Sequence, residues 1–137
     1  MRFQRTKGML PLPSPERGTK IEALRPFLNT TVSDFGLVVA YLLATLRPRG
    51  PYPILAAYGE PGAAKTNLLR ILRSLADPHE VPTAAPPFNI RDLAIAARNS
   101  HLQAFENVSK LPDAMADAFC RLATGGGLRT PHVLHKL

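Results

Sequence analysis

Gly59-Glu60-Pro61-Gly62-Ala63-Ala64-Lys65-Thr66 is the stretch whose reading decides the fold. It has the spacing of a phosphate-binding loop, G-x-x-x-x-G-K-[ST], with Ala64 standing where the last glycine is usual. Such a loop curls so that its backbone N–H groups converge on phosphate oxygens. The lysine adds a positive charge at the β and γ phosphates, and the threonine hydroxyl completes the shell of a Mg²⁺ ion. The helix that follows adds the positive end of its dipole. The expected ligands are therefore ATP and Mg²⁺, held by Gly59, Gly62, Ala63, Ala64, Lys65, Thr66 and Asn67. By chance, such a pattern arises in roughly one chain in a hundred of this size.

The flanking sequence agrees with this reading. Residues 52–58 (Tyr-Pro-Ile-Leu-Ala-Ala-Tyr) form a short apolar run, as expected for a buried parallel strand. Residues 65–76 place Leu68, Ile71, Leu72 and Leu75 on one helical stripe, with Asn67, Arg70, Arg73 and Ser74 opposite. Upstream, Ser33 or Asp34 can cap a helix reaching about Arg47, which Pro48, Gly50 and Pro51 stop. Downstream, residues 77–87 read as a proline-rich connector. Asn89 with Asp92 forms a capping pair for a helix through about Arg98. Residues 101–105 suit a second strand. Pro112 and Asp113 open a last helix, with Ala114, Met115, Ala118, Phe119 and Leu122 on its stripe, and Thr124-Gly125-Gly126-Gly127 closes it.

This alternation predicts an α/β fold: a partial, AAA+-like P-loop NTPase with a parallel sheet flanked by helices. Two visible strands make a poor sheet, so part of a domain is expected. The division is a basic, proline-bearing lead-in over residues 1–20, the partial NTPase domain over 21–130 and a tail over 131–137. The chain has 137 residues, of which 14 are proline, and the prolines cluster between the elements.

The net charge of +7 suits nucleotide phosphates, nucleic acid or acidic partners. Arginine, the better bidentate phosphate binder, dominates the basic residues. The charges are scattered and lack interleaved aromatics, which argues against direct nucleic-acid binding by this stretch. Cys120 is the single cysteine, so an internal disulfide is excluded and a structural thiol is expected. No apolar signal core follows Arg2 and Arg5. The longest apolar stretch, residues 35–46, is too short for a transmembrane helix, so a cytoplasmic protein without a membrane partner is expected.

Hydrolysis requires a carboxylate at the end of an adjacent strand, to hold the Mg²⁺ water shell or orient the attacking water. Glu106 occupies that place, making Thr66 and Glu106 the expected metal ligands. Asn107 is placed to bond the γ-phosphate or the water, so Glu106 and Asn107 are the catalytic candidates. The weaker features are a His132/His135 pair without a third ligand, the glycine triplet as a backbone-approach loop, and Arg121 or Arg129 as charge-neutralising fingers.

Five segments occur in order: 46–53 (Leu-Arg-Pro-Arg-Gly-Pro-Tyr-Pro), the loop 59–66, 95–99 (Ile-Ala-Ala-Arg-Asn), 104–109 (Ala-Phe-Glu-Asn-Val-Ser) and 122–127 (Leu-Ala-Thr-Gly-Gly-Gly). Together they resemble the ATPase region of bacterial and prophage-borne ATP-binding proteins, related to primase–helicase P-loop ATPases, over roughly residues 7 to 130. The resemblance implies an ATPase core serving DNA replication or mobilisation, with DNA reached through a longer parent protein or a homo-oligomer. Members carry alanine before the lysine, as here, and aspartate where this chain has Glu106. The tail 131–137 departs from the pattern and reads as a truncation. Two other functions compete: a remnant or interaction module that keeps the loop without turnover, and a small-molecule kinase, for which no acceptor site or arginine lid is visible.

Overall fold

Capping chemistry and apolar spacing determine where this chain turns helical. The structure is a computed structural model and describes residues 6–18 and 20–128. A 3₁₀ turn over Ile21–Phe27 precedes four helices: α1 (Val32–Thr45), α2 (Lys65–Ala76), α3 (Ile90–Asn99) and α4 (Asp113–Ala123). Thr31 is the cap of α1, its Oγ1 accepting from the Asp34 N–H at 3.1 Å. The helix therefore starts ahead of the expected Ser33 or Asp34 cap. Asn89 Oδ1 accepts from the Asp92 N–H at 2.9 Å, the capping pair read from the sequence. Gly125, at φ 82°, ends α4, and the Gly126 N–H donates to the Arg121 carbonyl at 2.7 Å.

The apolar stripes close two cores. In the first, Leu28, Val38 and Leu42 surround Leu72 of α2, with Leu24, Phe35, Leu68 and Ile71 against them. In the second, Leu93 of α3 meets Met115 and Ala118 of α4, edged by Phe105 and Phe119, whose rings lie 5.5 Å apart. Leu72 and Leu93 are the most completely enclosed large side chains, at 1% and 0% exposure. The outer side of α1 stays apolar yet uncovered, with Val32, Leu37 and Leu43 open to water.

The expected parallel α/β sheet is not formed. Among the described residues there are helices and no strand, only two isolated bridges. Residues 52–58 carry no strand, and Tyr58 is 91% exposed rather than buried. Pro51 and Pro53 have no N–H to donate, and the Tyr52 N–H is already committed to the Ala123 carbonyl at 2.8 Å. The second expected strand, 101–105, contributes a single parallel bridge, Ala84 with Phe105. Two bonds make it: Ala84 N–H to the Ala104 carbonyl and Glu106 N–H to the Ala84 carbonyl, each 3.0 Å. Pro82, Pro86 and Pro87 on the partner segment cannot extend the ladder. In the lead-in, Met9 bridges antiparallel to His79. Residues 1–5, 19 and 129–137, which include Arg129, His132 and His135, lie outside the described residues.

Leu72→Ala and Leu93→Ala are each expected to cost about 3 kcal/mol in urea unfolding, since each opens a cavity in a separate core. Phe88→Ala, at a site 97% exposed, is expected to change stability by no more than about 0.5 kcal/mol.

Candidate functional site

The loop 59–66 owes its shape to three residues with positive φ. Gly59 (152°) and Gly62 (84°) adopt values that glycine reaches freely. Ala64 is the third, at φ 59°, ψ 23°, and forms the N-cap of α2. A left-handed alanine costs roughly 1–2 kcal/mol, and a glycine there would avoid that cost. The left-handed cap swings the chain into α2, whose first backbone bond is Leu68 N–H to the Ala64 carbonyl at 3.0 Å.

That geometry leaves donors free. Among the described residues, no acceptor pairs with the backbone N–H groups of Lys65, Thr66 and Asn67, and no side chain caps the helix. Orphan amides at the positive end of a helix dipole form an anion-accepting surface. The Lys65 ammonium bends back over the loop, donating to the Gly59 carbonyl at 2.8 Å and the Glu60 carbonyl at 2.6 Å. The ammonium, the free amides and the Thr66 hydroxyl thus belong to one turn of chain. This donor set, positive and without a carboxylate, suits a phosphate group. A Cβ at Gly62 would meet nothing within 4 Å, so space exists on that side of the loop.

Among the described residues, no hydrogen bond ties the other expected residues to this turn. Glu106 is held through its backbone by Ala84, and Asn107 follows in a left-handed conformation at φ 58°. Among the described residues, neither side chain hydrogen-bonds to the loop. Arg121 is exposed on α4. No cluster of three His, Cys, Asp or Glu side chains suited to a metal occurs among the described residues.

Three further residues bear on the site. Asn29 reaches across to the loop, its Nδ2 donating to the Ala63 carbonyl at 3.5 Å; nothing in the sequence signals that contact. Arg73, expected on the polar side of α2, is instead buried at 5% exposure, and Asp77 beyond the helix end is buried at 3%. Burial lowers the Arg73 pKa from its ordinary value, and the nearby Asp77 charge partly opposes that shift. The four-residue interval between opposite charges was the available signal for this pair.

The actinomycete integrative conjugative element replication protein family matches residues 21–131, most of the chain. The chain belongs to that family. The kinship to mobile-element replication proteins expected from the sequence is thus supported in its coarser form, whereas the P-loop ATPase relationship gains nothing from the match. Among curated proteins and solved structures, nothing matches the chain. No single helix among the described residues is long and apolar enough to cross a membrane.

Ala64→Gly is expected to raise stability by about 1 kcal/mol, by relieving the left-handed alanine. Urea denaturation measures the gain, and an unchanged midpoint would show that Ala64 is not strained.

Proposed function

We propose that this member of a mobile-element replication family binds Mg·ATP through the loop 59–66. The observation carrying the reading is the run of three amides at Lys65, Thr66 and Asn67, unpaired among the described residues, with the Lys65 ammonium folded over the same turn. These amides accept the phosphate charge at the dipole's positive end. Lys65 exchanges its two carbonyl partners for phosphate oxygens, and a charge-assisted bond to phosphate is stronger than one to a neutral carbonyl. The Thr66 hydroxyl would hold Mg²⁺, which would neutralise charge on the phosphates when bound. Glu106 is the carboxylate that would reach the metal's water shell, and Asn107 the side chain that would orient an attacking water. DNA is engaged through a longer protein or an oligomer, in keeping with the family's replication role.

A second reading, nucleotide binding without turnover, is favoured by one observation. Among the described residues, no hydrogen bond ties Glu106 or Asn107 to the loop, so the hydrolytic half of the site is not preassembled.

Calorimetric titration of Mg·ATP into the full chain tests the proposal. Lys65→Ala is expected to weaken binding by about one to two orders of magnitude, through loss of a charge-assisted contact of roughly 1.5–3 kcal/mol. Its far-ultraviolet circular dichroism should stay unchanged. Equal heats from wild type and variant would reject the proposal. Thr66→Val should retain ATP binding without Mg²⁺ while losing about tenfold of the Mg²⁺-dependent gain.

A further inference from the structure

We propose that Arg73 and Asp77 are positioning residues that hold Glu106 in register with the phosphate-loop helix. The proposal rests on the nucleotide-binding reading and names a device that reading does not contain. Arg73 lies in the last turn of α2, and its Nη1 donates to the Pro82 carbonyl at 3.2 Å. Asp77 caps the same helix end, with its N–H on the Arg73 carbonyl at 2.8 Å. Its Oδ2 accepts from the Leu102 N–H at 2.8 Å. One side chain therefore grips the segment leading to Ala84, and the other grips the segment leading to Glu106. Those two segments are joined by the bridge whose second bond is the Glu106 N–H to the Ala84 carbonyl. The result is a closed circuit from α2 through Pro82 and Ala84 to Glu106, then back through Leu102 to Asp77. Lys65 and Thr66 begin the same helix.

The chemistry of the pair argues that its role is placement rather than stability. Both side chains are nearly solvent-free, and withdrawing charges from water costs several kcal/mol per ion. Arg73 Nε finds no partner among the described residues, so the guanidinium is incompletely satisfied. Replacing both members of a buried charge pair by apolar side chains is often neutral for stability, whereas removing one leaves the other charge uncompensated and destabilises the fold. An apolar side chain cannot donate to Pro82, however, so the Ala84 side of the bridge would lose that tie, while the other side keeps the packing of Phe105 against the second core.

Two measurements on the full chain test this, using Arg73→Met, Arg73→Lys and Asp77→Asn. In amide hydrogen exchange, Arg73→Met is expected to speed exchange at Ala84 and Glu106 by about tenfold or more. Asp77→Asn should do the same at Leu102, amides inside α1 and α4 should be unaffected, and Arg73→Lys should restore protection at Ala84. Unchanged exchange at the bridge, or equal loss of protection in every helix, overturns the proposal. In nucleotide titrations, Arg73→Met should leave Mg²⁺-free ATP affinity unchanged. It should reduce the Mg²⁺-dependent gain by about tenfold, as Glu106→Gln does, with the double variant no worse than either. An equal fall in Mg²⁺-free affinity overturns it. If the wild-type chain binds no nucleotide, the functional reading fails, and the exchange measurement still decides whether the pair holds the bridge.

Discussion

The enclosure of Leu72 is the constraint on which the rest of this structure depends. It seats α2 against α1 and the Leu28 segment, and α2 carries structure at both of its ends. Burying a leucine contributes about 2 kcal/mol, and that contribution fixes a helix whose other features are costly. At its start is a left-handed alanine with three unpaired amides; at its finish are two charges withdrawn from water. A helix with neither a side-chain N-cap nor an acidic first turn gains little local support at its beginning. Tertiary packing therefore has to supply it.

The helices were legible in the sequence because each had two agreeing signals. For α2, the stripe of Leu68, Ile71, Leu72 and Leu75 coincided with the start set by Lys65, giving its span of Lys65–Ala76. For α3, the Asn89 and Asp92 pair coincided with Leu93 inside. The strands had one signal only, a run of apolar residues. Apolarity does not provide the neighbouring backbone that a strand needs, and the prolines at 51, 53, 82, 86 and 87 remove donors where a ladder would form. The 3₁₀ turn over Ile21–Phe27 was not anticipated, since Pro26 inside it argues against a helix.

The site divides along the same line. The loop's chemistry is local: spacing alone places the lysine and the free amides within one turn. The part that depends on distant segments was less legible. Asn29 and Ala63 are 34 residues apart, and Asp77 and Leu102 are 25 apart. Arg73 shows how periodicity misleads at a helix end. Its angular position is polar, yet the connector folds over it, so a side chain expected in water is enclosed. Family membership places the chain among the actinomycete integrative conjugative element replication proteins.

The uncovered leucines of α1 have a consequence for how this protein is handled. Sulfate and phosphate are excluded from apolar surfaces and so strengthen their association, which favours salting-out through the faces bearing Leu37 and Leu43. Chloride buffers at modest ionic strength lessen this effect.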